Sequence, residues 1–152
     1  MGLTVDGIAG ITDLVGRDLG HSAWKEVTQD LIDAFAQVSG DHQWIHTDAV
    51  RAAEGPFGRT IAHGHMVLSW GVPMCAELLR VTGVGMALNY GMDKVRYPAP
   101  VPVGSRVRLH AAVTDVQEVG RGGVRMHRAF TFEREGSAKP VCVAESLTHF
   151  YP

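Results

Sequence analysis

The sequence predicts an α+β fold in which an antiparallel sheet wraps around one apolar helix, and three observations carry that reading. A segment from about residue 64 to 82 is apolar nearly all round, as a helix enclosed by a sheet would be. Four long strand-like segments follow it, joined by short turns rich in glycine and proline. A separate amphipathic helix precedes both, so helices and strands are segregated along the chain rather than alternating.

The elements can be taken in order. Residues 11–27 read as irregular or short-strand material, with a strand at 24–27. A helix is expected from Gln29 to about Ser39, with Leu31, Ile32, Phe35 and Ala36 on its apolar face and Asp30, Asp33 and Gln37 opposite. Thr28 suits its N-cap, Val27 and Ile32 can form a hydrophobic staple, and Gly40 suits the left-handed position past its end. Residues 41–63 hold Gly55-Pro56 and Gly58 without a sustained period, which marks a long covering loop. In the helix predicted at 64–82, Met66, Val67, Leu68, Trp70, Met74 and Leu78 are apolar, Gly83 closes it, and Pro73 should kink or divide it. Strands are expected at about 86–97, 105–118, 123–135 and 140–151. Alternation is clearest in the third, where Val124, Met126, Arg128, Phe130 and Phe132 share one face.

At 152 residues the chain fits a single domain, 1–152, and can bury about 70% of its unfolded surface. Its charged fraction of 20% and net charge of −2 lack the basic footprint of a nucleic-acid binder. No basic start leads into an apolar run, and no stretch approaches the ~20 apolar residues of a membrane span. A cytoplasmic protein without membrane or nucleic-acid partners is expected. Cys75 and Cys142 stand in no metal or redox spacing and read as buried thiols.

Chemistry concentrates in the covering loop. Asp41 and His46 lie just past a helix stop, and their side chains span the pKa range useful for proton transfer near neutrality. Gly64, at a helix start, offers an unobstructed backbone N–H with the helix dipole behind it. Hydrating a conjugated thioester needs such a set: a base for water, an acid for the α-carbon and a donor for the enolate-like oxygen. Removal of one such donor typically costs ~3 kcal/mol in the transition state. On spacing alone the alternatives stay open, since Asp41 could merely form an Asx turn and His46 could be an ordinary loop histidine.

The segments Gly40-Asp41-His42-Gln43-Trp44-Ile45-His46-Thr47-Asp48, Gly55-Pro56-Phe57-Gly58, Ile61-Ala62-His63-Gly64 and Val95-Arg96-Tyr97-Pro98-Ala99-Pro100-Val101 resemble the MaoC-like dehydratases. This is the (R)-specific enoyl-CoA hydratase, or hydratase 2, branch of the hot-dog superfamily, and the chain is most similar to its NodN-like single-domain members. The resemblance, over roughly residues 11–152, implies a hot-dog fold and a homodimer whose sheets join edge to edge. It implies that Asp41 and His46 hold the catalytic water and transfer protons, and that the Gly64 amide binds the thioester carbonyl. The implied partner is an acyl-CoA thioester or its acyl-carrier-protein counterpart, with no cofactor.

Some positions depart from the pattern. His65 intervenes between the His-Gly pair and Met66, and no serine stands near Gly71 and Val72, where some hydratases place one beside the substrate. His42, His46, His63 and His65 suggest zinc, with His63 and His65 as a ligand pair, but no zinc spacing is present and no metal is expected. Asp48 reads as a cap for the following turn, Trp44, Ile45 and Phe57 as anchors of the loop or walls of an acyl channel, and Arg59, Lys94 and Arg96 as candidates for the CoA phosphates. The leading expectation is hydration of trans-2-enoyl-CoA to (3R)-hydroxyacyl-CoA, with its reverse. A hot-dog thioesterase and a non-catalytic acyl-thioester binding module are the alternatives.

Overall fold

The computed structural model describes residues 2–152. In chain order the elements are β1 (Leu3–Asp6), α1 (Gly7–Thr12), β2 (Asp18–His21), β3 (Lys25–Glu26), α2 (Gln29–Ser39), α3 (Trp44–Thr47) and α4 (Ala49–Ala53). They continue with α5 (Gly64–Ser69), α6 (Gly71–Leu78), β4 (Leu79–Thr82), β5 (Met86–Arg96), β6 (Arg106–Val119), β7 (Gly123–Arg134) and β8 (Cys142–Tyr151). The main sheet runs β2-β6-β7-β8-β5 with β3 also on β6, and every pairing in it is antiparallel. This is the α+β hot-dog arrangement, with α5 and α6 packed on one face of the sheet.

The signals for α2 act as read. The Thr28 hydroxyl accepts from the Leu31 N–H at 3.3 Å, and Gly40 closes the helix with φ 78° and its N–H on the Ala36 carbonyl at 2.9 Å. Val27 and Ile32 are both fully buried. The predicted alternation of β7 also holds: Val124, Met126, Arg128, Phe130 and Phe132 are all buried. Both cysteines are buried free thiols, and burial pushes the Cys142 thiol up to about 12.

The helix predicted at 64–82 is corrected on three counts. It breaks at Trp70, giving α5 and α6. Pro73 has no N–H to return to Ser69, which leaves the junction unsupported just where Gly71 packs on aromatic rings. A Cβ on Gly71 would stand 2.9 Å from the Phe130 ring. Second, residues 79–82 form β4, which pairs in parallel with β1, Leu3 opposite Leu79 and Val5 opposite Val81. β-branched Val81 and Thr82 favour that extended form. Third, the helix is not apolar-covered all round, since His65, Ser69, Val72, Pro73 and Ala76 face outward.

Two further stretches are more regular than expected. Residues 11–27 hold the end of α1 and β2, with Ile11 and Leu14 buried, and the covering loop 41–63 contains α3 and α4. The Asp48 carboxylate caps α4, accepting from the Arg51 N–H at 2.9 Å. The core forms two clusters: Ile32, Met66, Val67, Leu109, Phe130 and Phe132 under α5 and α6, and Ile11, Leu14, Val113, Met126 and Phe150 under α1. Among the described residues, no helix is long and apolar enough to cross a membrane.

Candidate active site

The end of α2 sets Asp41 at the surface. Its carboxylate accepts from the Gln43 N–H at 3.3 Å, and its own N–H donates to the Ser39 hydroxyl at 3.2 Å. This is the Asx turn that spacing alone allowed, yet it also brings the carboxylate beside two imidazoles. Asp41, His46 and His63 each offer a ligand-type atom, and these three atoms lie within 4.8 Å of one another.

His46 sits in α3 and is only 6% exposed. Its Nδ1 lies 2.7 Å from the Ile61 carbonyl oxygen, which can only accept, so Nδ1 carries the proton. Nε2 is thereby left as the acceptor of the ring. Burial holds the pKa of His46 below its usual value; the Ile61 bond and Asp41 oppose that shift, and His63 adds to it. The neutral imidazole is therefore the resting form near neutrality, which is what a base requires.

The segment carrying His46 is tied down on both sides. The Ile61 N–H donates to the Ile45 carbonyl at 3.0 Å, closing one side. On the other, the Gln29 side-chain amide donates to the His46 carbonyl at 2.8 Å and accepts from the buried Thr60 hydroxyl at 2.6 Å. Sequence reasoning did not single out Gln29 or Thr60, because neither their type nor their spacing signals a bond spanning 17 or 31 positions.

His63 lies against His46 in the same cluster. Its ring stacks on His46 at 3.7 Å between centroids and 25° between planes, and its Nε2–H donates to the Asp41 backbone carbonyl at 2.9 Å. Metal-binding lone pairs lie in the ring planes, so two rings stacked this way do not converge on one ion at the ~2.0 Å that zinc needs. Exposed His65 takes no part in the cluster, its ring lying 5.5 Å from that of Tyr97.

Gly64 opens α5, where no side-chain cap serves the first-turn amides. A Cβ at this position would stand 2.8 Å from the Tyr97 ring, so close approach of that ring requires glycine. His46 and Gly64 line one cleft of about 300 Å³ together with Phe57, Ile61, Tyr97 and Val101. Its walls are largely apolar, with an imidazole and a helix-start amide as the polar groups, a form suited to an acyl group with one carbonyl. Of the loop aromatics, Phe57 lines the cleft. Trp44 instead packs against Gly55 and under the Arg51 guanidinium, 4.4 Å from its ring centroid.

Of the basic candidates, Lys94 is engaged with Glu145 at 2.6 Å, and Arg96 donates to its neighbour's carbonyl.

Residues 11–129 match the model of the MaoC like domain, more than half of the chain. The protein belongs to the MaoC-like dehydratase family. This MaoC-like dehydratase is 48% identical over 147 residues to 3-hydroxyacyl-thioester dehydratase Z of Mycobacterium tuberculosis, covering 97% of each chain. It is 38% identical over 143 residues to nodulation protein N of Rhizobium leguminosarum bv. viciae, covering 93% of this chain and 89% of the other. Among solved structures, a monoamine oxidase regulatory protein from Archaeoglobus fulgidus superposes with a TM-score of 0.82 at 23% identity, covering 100% and 99% of the two chains. That likeness speaks for the hot-dog fold. The MaoC-like dehydratase is thus an enzyme of the hydro-lyase kind.

Proposed function

We propose that this MaoC-like dehydratase interconverts trans-2-enoyl and (3R)-3-hydroxyacyl thioesters, adding or removing water, with Asp41 and His46 as the acid/base pair and Gly64 as the oxyanion donor. One observation carries the reading: the Ile61 carbonyl accepts the Nδ1–H of His46, so the neutral ring keeps Nε2 as its acceptor, and the Asp41 carboxylate lies within 4.8 Å of an imidazole nitrogen of His46.

In the hydration direction, water held between His46 Nε2 and the Asp41 carboxylate adds through its oxygen to C3 of the enoyl group. His46 Nε2 takes the proton released. The C2=C3 electrons shift toward the thioester carbonyl, whose oxygen is held by the Gly64 N–H at the start of α5. The pair then returns a proton to C2, restoring the carbonyl and leaving the thioester intact. Dehydration runs the same steps backward. The thioester is carried by CoA or by an acyl-carrier protein. The name of the Mycobacterium tuberculosis relative, with its 48% identity across nearly the whole chain, supports this substrate class.

We also read the protein as a homodimer. Among the described residues, strand β5 pairs with β8 alone, and along this edge strand Met86, Leu88 and Tyr90 are exposed. A long edge with apolar side chains invites pairing with a second copy. The direct test of the function is the ultraviolet loss of the conjugated enoyl-thioester absorbance when crotonyl-CoA is added. Release of free thiol instead would assign a thioesterase, and binding without turnover a non-catalytic module.

A further inference from the structure

His63 holds the N-cap position of α5, yet its side chain makes no bond to that helix. It is only 3% exposed, and its ring lies between two others: His46 of α3, stacked at 3.7 Å between centroids, and Phe35 of α2, at 5.0 Å and tilted by 51°. Its Nε2–H reaches the Asp41 backbone carbonyl at 2.9 Å, 22 positions away in sequence. One imidazole thus joins α2, the exposed turn that carries Asp41, α3, and the start of α5 at Gly64. Among the described residues, those lining the cleft shared by His46 and Gly64 do not include His63. Its influence on the chemistry therefore passes through its neighbours.

Packing alone does not account for this ring. With the Nε2 proton on the Asp41 carbonyl, Nδ1 keeps its lone pair, and no protein group bonds that buried nitrogen. A phenyl group would fill the same space with no polar atom to desolvate. What histidine adds over a hydrocarbon ring here is the donor to Asp41. That bond matters because Asp41 is exposed and past the end of α2, where the chain would otherwise be free to move. Its N–H is held by the Ser39 hydroxyl, itself bonded to the Phe35 carbonyl at 2.7 Å, and its carbonyl is held by His63.

We propose that His63 is a positioning residue for the reaction: its Nε2–H fixes the backbone of Asp41, and its ring fixes the plane of the His46 imidazole, so that both groups address one water. The proposal rests on the function proposed above. Such a role has a large effect for a small displacement, since misplacing a reacting group by about 1 Å can cost roughly a hundredfold in rate.

Two substitutions separate the two holds. His63→Phe keeps a ring against His46 and removes the donor to Asp41, whereas His63→Gln keeps an amide N–H for the Asp41 carbonyl and removes the ring. Crotonyl-CoA hydration is measured for each, alone and combined with loss of the group it positions. His63→Phe should lower kcat roughly tenfold, with KM changed by less than about twofold, but should lower the residual rate of Asp41→Ala by less than about twofold. In the same way, His63→Gln should lower kcat roughly tenfold in the parent and the residual rate of His46→Ala by less than about twofold. Parent-like kcat in either variant overturns the proposal. So does an equal fold-loss in the parent and in the Asp41→Ala or His46→Ala background, because general damage to the fold is additive with loss of the dyad. If one of the two variants does not fold, the other decides alone. A parent that hydrates no crotonyl-CoA removes the proposed function and this role with it, whereas an active parent with indifferent His63 variants removes this role alone.

Discussion

At the scale of single residues, the proposed chemistry depends on a neutral His46 that donates its Nδ1–H to the Ile61 carbonyl. Because burial depresses its pKa, the acid limb of kcat/KM for hydration should fall below the usual histidine value of 6.5. The same shift bears on stability, with the sign fixed by linkage. Below 6.5 the unfolded chain takes up a proton at this position before the folded one does, so this group makes the fold less stable as pH drops through that window, until the folded-state pKa is passed. Urea midpoints measured between pH 7 and pH 5 should decline in the parent, and the decline should be smaller in His46→Gln. Gly64→Ala drives a methyl into the Tyr97 ring, so kcat should fall by roughly a hundredfold as the α5 amide is displaced, with the circular dichroism spectrum retained.

The places of Asp41 just past the end of α2 and of Gly64 at the start of α5 were legible because each follows a local signal, a helix stop and a helix-start glycine. The supports of His46 were not. Gln29 and Thr60 act through bonds to distant backbone and side-chain atoms, and the stacking of His63 on His46 depends on how the covering loop folds back over α5.

Among the elements, α2 was readable to the residue because its ends are written in capping chemistry. Thr28→Ala should cost ~1 kcal/mol in unfolding free energy, measurable by urea denaturation, since it removes the acceptor for the Leu31 N–H. The central helix was less readable. Its apolar run continues into β4 without a change in hydrophobicity, and what ends the helix there is pairing with β1, more than seventy residues away in sequence. Propensity alone could not reveal that contact. The division at Trp70 was foreshadowed by Pro73, but its position follows from the rings of Phe130 and Phe132 pressing on Gly71.

For the whole molecule, the run of long strands after the central helix and the antiparallel β6-β7-β8 pairings follow from hydrophobic pattern and short turns, whereas β5, expected beside β6 from its short connection, pairs with β8 instead, so the open edge at β5 emerges only once the strands are ordered. Size-exclusion chromatography with light scattering should give a dimer. Leu88→Asp, which places a charge on that edge without touching the dyad, should shift it toward monomer; a monomeric parent protein would contradict the dimer reading.

The central claim is that Asp41 and His46 manage one water for an enoyl thioester. Its most direct test is the ultraviolet hydration assay on crotonyl-CoA, with chiral analysis of the product, run on the parent protein and on Asp41→Ala and His46→Ala. The parent should yield (3R)-hydroxybutyryl-CoA, with rates lowered by roughly a hundredfold or more in each variant; full activity in both variants would contradict a shared role for Asp41 and His46.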